Sequence, residues 1–218
     1  MNDTPRGRGY LPVGAMGALA AVLFIALFRL RRLGPLDFWS WMTLNVILVV
    51  ALSFVVDKGY AGRLRQDVRS GLGRKLALGV GSAAVLYAIF TVGHMAAMRL
   101  LPFAEAGIAN VYALRAGVPV WRIAMLIGLV IGPGEELFWR GFFQERAGTT
   151  TCRSYGFALA VMLYTAVHLA SGNLMLVLAA AVGGVFWGWL YMRFRSPVIN
   201  IVSHTVWDLA VFVVFPFF

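Results

Sequence analysis

The chain is poor in charge and nearly free of cysteine. Charged residues make up 13% of its 218 positions, only nine are Asp or Glu, three are His, and Cys152 is the single cysteine. One cysteine excludes an internal disulfide framework. So few charges exclude an ordinary soluble domain, in which about a quarter of the residues are charged. We expect Cys152 to be an inert thiol, because no general base or metal partner lies near it in the sequence.

What the chain has in excess is apolar sequence. Hydrophobic residues account for 61% of it, and the mean hydropathy is +0.80. Because a bilayer core requires roughly 20 apolar helical residues, the pattern predicts an all-α, polytopic membrane bundle of about seven transmembrane helices, the fifth of them short. The predicted spans are 11–28, 38–56, 76–98, 118–143, 155–169, 174–192 and 198–217.

These spans predict one membrane domain, 1–218, with N-terminal spans in 1–117 and a motif-bearing core in 118–217. No cleavable signal peptide is evident, so we expect the first span to be retained. A compact chain without a soluble domain predicts an integral protein of the bacterial inner membrane.

Basic residues dominate the charge, and the net charge is +10. In a soluble protein this would suggest nucleic acid, but here the basic residues fall between apolar runs, so the predicted partner is the lipid bilayer and not nucleic acid. Six of them lie between Lys58 and Lys75. The positive-inside rule then predicts a cytoplasmic N-terminus, although the basic cluster 29–32 opposes it. The 57–75 connection is either a short interfacial helix on anionic headgroups or a solvated loop.

Two carboxylates and a guanidinium interrupt the fourth span. Glu135, Glu136 and Arg140 lie within an apolar stretch, where ionisable groups are costly and mark a functional site by default. Glu136 and Arg140 are four residues apart and can pair on one helix face. Glu135 points about 100° away from Glu136, which leaves it free for chemistry. The preceding Gly-Pro-Gly, 132–134, predicts a kink or a restart of the helix.

Two later spans each carry a histidine. His204 and Asp208 are four residues apart, so both side chains project from one helix face. His168 follows Tyr164 by the same interval. With the glutamates, these residues predict one active site in the second half of the chain. A buried ion network that only fixes helix packing is the alternative. His94, which has no carboxylate or histidine near it in sequence, is expected to have a packing or hydrogen-bonding role.

The motif-bearing segments resemble those of a known family. The runs EELFWRGF, YTAVH and HTVWD are similar to the EExxxR, FxxxH and HxxxN or HxxxD motifs of the CPBP family, the CAAX-processing and bacteriocin-processing (Abi) intramembrane proteases. The resemblance covers residues 118–217. It implies hydrolysis of a peptide bond in a membrane-anchored protein or peptide, whether a prenylated CAAX-like tail, a leader peptide or a C-terminal sorting segment.

The resemblance also implies a role for each residue. Glu135 resembles the general base that activates water, and His168 resembles its assistant. His204 and Asp208 resemble the groups that hold the oxyanion or the water. Glu136 and Arg140 would support them. Tyr164 replaces the usual phenylalanine and adds a hydroxyl near His168.

Asp208 raises the question of a metal. An asparagine amide can donate to an oxyanion, whereas an ionised aspartate cannot. Asp208 is therefore protonated, orients His204 or faces a cation. In the last case Glu135, His168, His204 and Asp208 would be candidate ligands for Zn²⁺, with a metal-bound water as the nucleophile. The sequence leaves open glutamate-activated water without a cofactor and a zinc site.

Two other classes of function also place ionisable groups in a membrane. A small-solute transporter would put them at a broken helix near the midplane, but the chain shows no inverted repeat. A non-catalytic membrane scaffold or immunity protein is the second alternative. Retention of a chemically competent residue at each motif position favours the enzyme.

Overall fold

The computed structural model describes residues 10–217, and this part of the chain contains helices and no β-strand. The predicted all-α class is thus confirmed. The helices are α1 (Tyr10–Leu30), α2 (Phe38–Val56), α3 (Tyr60–Arg69), α4 (Leu72–Leu100), α5 (Ala104–Tyr112), α6 (Val120–Thr150), α7 (Arg153–His168), α8 (Leu174–Phe194) and α9 (Pro197–Leu209). Short 3₁₀ turns extend α5 and α7, and a π-helical turn extends α9.

The number of membrane-spanning helices agrees with the prediction. Helices α1, α2, α4, α7, α8 and α9 are each long and apolar enough to cross a bilayer. Helices α5 and α6 meet at 90°, and this bent pair is a seventh span if it crosses the bilayer as one unit. The fifth span, expected to be short, reaches 19 residues because a 3₁₀ turn carries it to Ser171. The protein is an integral membrane protein.

Side-chain caps fix where several spans begin. Asp37 caps α2 by accepting from the Ser40 backbone N–H at 2.9 Å. Asn173 caps α8 by accepting from two backbone N–H groups. Ser196 caps α9 just before Pro197, whose missing N–H is no loss at a first helical position.

The basic 57–75 connection folds into the short helix α3. Tyr60 at its start is buried, and its hydroxyl donates to the Leu137 carbonyl of α6 at 2.7 Å. Asp67 near its end accepts from the Val198 backbone N–H at 3.0 Å. Helix α3 is thereby tied to the two helices, α6 and α9, that carry most of the ionisable motif residues.

Helix α6 lies at the centre of the bundle. It contacts α1, α2, α7, α8 and α9, and its aromatic residues Phe138, Trp139 and Phe142 are almost completely buried. Helix α9 packs most extensively against α4, and α8 packs most extensively against α7. The motif residues of α6, α7 and α9 therefore face a shared interior.

Candidate active site

The Gly-Pro-Gly segment does not break α6. Helical dihedral angles continue through Ile131 (φ −67°, ψ −59°) and Gly132 (φ −56°, ψ −53°). Two π-helical stretches, Ile127–Ile131 and Leu137–Gln144, flank the segment. Pro133 has no backbone N–H to donate, and the wider π turns allow the helix to continue past it. A local change of helical pitch therefore takes the place of the expected restart. The sharp bend lies earlier, between α5 and α6.

The two glycines of this segment allow neighbouring helices to approach closely. A Cβ on Gly134 would lie 2.1 Å from Val46 Cγ1 of α2, and one on Gly132 would lie 2.5 Å from Thr205 Oγ1 of α9. Neither distance is compatible with a side chain. Helices α2 and α9 therefore close on α6 beside Glu135.

Glu136 is held by three donors. Arg140 Nη1 lies 2.8 Å from its Oε1, His204 Nδ1 lies 2.7 Å from the same oxygen, and Asn200 Nδ2 lies 3.0 Å from Oε2. Glu136 is fully buried, and Arg140 is 2% exposed. The predicted Glu136–Arg140 pair is confirmed. A carboxylate with this set of partners is ionised and fixed in position.

Arg140 is held in turn by its surroundings. Its Nη2 donates to the Gly184 carbonyl of α8 at 3.4 Å, and its guanidinium lies 4.7 Å from the centre of the Tyr164 ring. Asn200 also donates to the Trp187 carbonyl at 2.8 Å. The cluster thus links α6 to α7, α8 and α9.

His204 lies among three carboxylates. Because Glu136 accepts at Nδ1, that nitrogen carries a hydrogen. The opposite nitrogen, Nε2, lies 3.5 Å from Asp208 Oδ2 and 3.7 Å from Glu135 Oε2. The imidazole stacks on Trp187, with ring centres 3.7 Å apart. The predicted juxtaposition of His204 and Asp208 on one helix face is confirmed, and Glu135 joins them.

His168 ends α7 with a defined orientation. Its Nδ1 lies 2.7 Å from the Tyr164 carbonyl oxygen, which can only accept, so Nδ1 carries the hydrogen and Nε2 has a free lone pair. The ring packs on Phe28 at 4.4 Å and on Tyr164 at 4.9 Å. The hydrogen bond between Tyr164 and His168 uses the Tyr164 backbone carbonyl and not its hydroxyl.

A cavity of about 540 Å³ brings the candidates together. Glu135, Tyr164, His168, His204 and Asp208 all line it, and the rest of its wall is almost entirely apolar. Glu136 and Arg140 lie behind the wall. The sequence-predicted site residues therefore form two groups, one facing the cavity and one supporting it.

The cavity reaches the lipid-facing surface between α4 and α8. Four of its lining residues have exposed fractions above 40%: Ile89 and Leu100 of α4, and Leu178 and Val182 of α8. Helix α5 crosses its end, where the Leu114 carbonyl accepts from Trp39 Nε1 at 2.9 Å. The open side is thus lateral, between two membrane-spanning helices.

His94 also lines this cavity. Its ring stacks on Phe217 with centres 5.4 Å apart, in agreement with the predicted packing role. Its buried Nδ1 has no hydrogen-bond partner within residues 10–217. The absence of a charged neighbour in sequence did not indicate that His94 reaches the same cavity as His168 and His204.

Sequence reasoning missed Asn200 and Trp187. Asn200 lies four residues before His204, so Asn200, His204 and Asp208 form one stripe on α9. That interval was the available signal. No sequence pattern pointed to Trp187, whose place against the imidazole depends on how α8 packs on α9.

The donor groups do not form a ready zinc site. Across residues 10–217, no three His, Cys, Asp or Glu side chains are grouped in a way that could hold a metal ion. His204 Nδ1 is already engaged by Glu136. The geometry therefore provides no basis for routing a catalytic step through zinc.

Comparison with known proteins agrees with the motifs. Residues 117–210 match the family described as "Rce1-like: Type II CAAX prenyl endopeptidase Rce1-like". This confirms the resemblance to CPBP proteases over nearly the whole segment that the sequence indicated. No solved structure matches the chain.

Two curated relatives are similar over a longer stretch. They are the NADH-quinone oxidoreductase subunit L proteins of Neisseria meningitidis serogroup B strain MC58, 27% identical over 179 residues, and serogroup A strain Z2491, 26% identical over 179 residues. Each alignment covers 71% of this chain and 26% of the relative. The chain thus spans about a quarter of the length of these relatives, and the similarity supports an integral membrane protein. Residues 117–210 of this chain are thus similar to the Rce1-like CAAX endopeptidase family within the CPBP group.

Proposed function

We propose that the protein is an intramembrane endopeptidase in which Glu135 activates a water molecule. The observation that carries the proposal is the unequal environment of the two adjacent glutamates. Glu136 is held by Arg140, Asn200 and His204, whereas Glu135 faces the cavity. Two neighbouring carboxylates with different surroundings can take different roles.

The proposed reaction begins with Glu135 taking a proton from water while the water oxygen attacks the carbonyl carbon of the substrate. His168 accepts a hydrogen bond from that water through Nε2. The C–N bond then breaks, and Glu135 returns the proton to the leaving amine. The products are a new carboxyl terminus and a free amino terminus.

His204 supplies the charge that the tetrahedral intermediate needs. As an imidazolium it would donate from Nδ1 to Glu136 and from Nε2 to the developing oxyanion. Asp208, 3.5 Å from Nε2, would orient and balance this ring. Of the three roles considered for Asp208, orientation of His204 is the one that these distances support.

The substrate class follows from the cavity wall. A largely apolar cavity that opens between α4 and α8 suits a membrane-anchored protein or peptide whose scissile bond reaches the bundle interior. A prenylated CAAX-like tail, a leader peptide and a C-terminal sorting segment all meet this requirement. We place the protein in a bacterial inner membrane with its N-terminus in the cytoplasm.

The test is cleavage of three membrane-anchored reporter peptides, one for each substrate type, by purified protein in lipid vesicles. We expect wild type to cleave at least one of them. Glu135→Gln should abolish cleavage, and His168→Ala and His204→Ala should do the same, without loss of expression or membrane insertion. Glu105→Gln, which changes an exposed carboxylate on α5, is the matched control and should remain active.

The same samples decide between glutamate-activated water and zinc. Activity that persists with a chelator and disappears in Glu135→Gln supports the proposal. Stoichiometric zinc that is lost in His168→Ala, together with activity lost to chelator, would replace it with a metalloprotease. Cleavage by Glu135→Gln would overturn the role of Glu135 as the general base. No cleavage of any reporter by wild type would favour a scaffold or a transporter.

A further inference from the structure

The cavity lies near one end of the helix bundle. It is lined by the last turn of α4 at Leu100, the first turn of α2 at Phe38, and α5 at Ile108 and Val111. The start of α8 at Met175 contributes as well. These parts adjoin the α1–α2, α4–α5 and α7–α8 connections, which all lie at the same end. The cavity therefore lies in one half of the membrane-spanning bundle.

The basic residues favour the opposite end. Ten lie on that side, in or next to the connections α2–α4, α6–α7 and α8–α9: Lys58, Arg63, Arg65, Arg69, Arg74, Lys75, Arg146, Arg153, Arg193 and Arg195. Six lie at the cavity end: Arg29, Arg31, Arg32, Arg99, Arg115 and Arg122. Arg140 is buried beside Glu136 within α6 and is counted at neither end.

The unequal distribution of basic residues indicates how the bundle is oriented in the membrane. Cytoplasmic connections of membrane proteins are enriched in Lys and Arg, while Asp and Glu contribute little to orientation. The end with ten basic residues, which includes helix α3, is then cytoplasmic. The cavity end faces the other side.

We infer that the active-site cavity opens toward the extracytoplasmic half of the membrane, and that its partner is a membrane-anchored peptide presenting an apolar segment from that side. The gap between α4 and α8 admits this segment laterally, and helix α5 covers the end above it. The side of opening is independent of the chemistry. That this peptide is a substrate rests on the proposed function.

The chain carries its own topology probe. Cys152 is exposed and lies in the α6–α7 connection, at the end opposite the cavity. Ala116, exposed between α5 and α6, lies at the cavity end. Wild type and a Cys152→Ala/Ala116→Cys variant therefore report one end each with a single thiol.

The experiment is labelling with a membrane-impermeant maleimide in intact bacterial cells that express the full chain. Labelling of detergent-solubilised protein gives the maximum for each thiol. We expect the Ala116→Cys variant to be labelled in intact cells and Cys152 to be labelled only after permeabilisation. The reverse pattern, labelling of both thiols or labelling of neither in intact cells would overturn the inference.

A second measurement separates this inference from the proposed function. Right-side-out vesicles that contain the protein receive a reporter peptide anchored in the outer leaflet, with Glu135→Gln vesicles as control. Cleavage by sealed wild-type vesicles supports both proposals. Cleavage only after permeabilisation would leave the protease intact and overturn the direction of opening. Cleavage under neither condition would count against the protease, while the labelling result would still decide the direction.

Discussion

His204 Nδ1 lies 2.7 Å from Glu136 Oε1, and this contact joins the first and third motifs across 68 positions of the chain. It assigns Nδ1 the donor role and turns Nε2 toward Glu135 and Asp208. The second glutamate of the pair thus determines how the histidine faces the cavity. Glu136 is thus committed to its three donors, whereas Glu135 faces the cavity.

Glu136→Gln should lower the stability of the fold more than it impairs proton transfer. It leaves Arg140 buried without its carboxylate, and breaking a buried ion pair costs about 3–5 kcal/mol. We expect a lower Tm in detergent and partial loss of cleavage. Glu135→Gln should instead abolish cleavage and leave the Tm nearly unchanged. Equal effects of the two substitutions on both measurements would contradict the assigned roles.

Asn200→Ala should reduce turnover through Glu136. The variant removes a donor to the buried Glu136 Oε2 and a second donor to the Trp187 carbonyl, and leaving Oε2 without this partner costs about 1–3 kcal/mol. Asn45→Ala is a matched control, because Asn45 is also buried and its Nδ2 donates to the Leu23 carbonyl away from the site. Both variants should lower the Tm, but only Asn200→Ala should lower kcat and shift its pH profile. The same kcat and pH profile in the two variants would mean that Asn200 has only a packing role.

Asp208→Asn should retain activity, because an amide of the same shape can still lie 3.5 Å from His204 Nε2 and hold the ring. Asp208→Leu removes that polar contact and should lower kcat/KM by at least about tenfold, or roughly 1.4 kcal/mol in the barrier. The measurement is steady-state cleavage of the best reporter peptide. Inactive Asp208→Asn with normal folding would show that the negative charge itself is required.

The sequence was sufficient for the spans and for contacts within one helix. Hydropathy located the six long spans and α6, and four-residue spacing located the Glu136–Arg140 and His204–Asp208 contacts, because both depend on local patterns. Asn200 was missed because its partner lies on another helix. Helix α5 was missed because a short, mixed segment has no strong periodic pattern.

The Gly-Pro-Gly segment shows the same limit. Its composition predicted a kink or a restart of the helix. The helix does not restart, and the glycines allow α2 and α9 to approach α6. A close approach between helices depends on tertiary packing, which one sequence does not reveal. The π-helical turns that keep the helix continuous have no composition signal of their own.

Asp57 should make the fold sensitive to acid. Burial raises the pKa of this carboxyl. The hydrogen bond from Arg63, the charges of Arg63 and Arg146 and the hydrogen bond from the Gly59 N–H lower it by more, so the net pKa is below its ordinary value. The stabilisation is present above the unfolded-state pKa of about 3.9 and is lost as the pH falls through the lower folded-state pKa. Thermal unfolding in detergent between about pH 2 and 6 should show a smaller decline for Asp57→Asn than for wild type. A decline of the same size in both proteins would assign the acid sensitivity to other groups.

Gly134→Ala should test the close contact of α2 with α6. Alanine normally stabilises a helix by about 1 kcal/mol relative to glycine, but here its Cβ would lie 2.1 Å from Val46 Cγ1, and overpacking costs about 1–3 kcal/mol. We expect a lower Tm for Gly134→Ala and a higher one for Gly81→Ala, whose Cβ would meet open space on α4. Val46→Ala combined with Gly134→Ala should recover part of the loss, because it removes the clashing methyl group. A stabilising Gly134→Ala would show that α2 does not press on α6 at this point, and the support of Glu135 from that side would have to be assigned elsewhere.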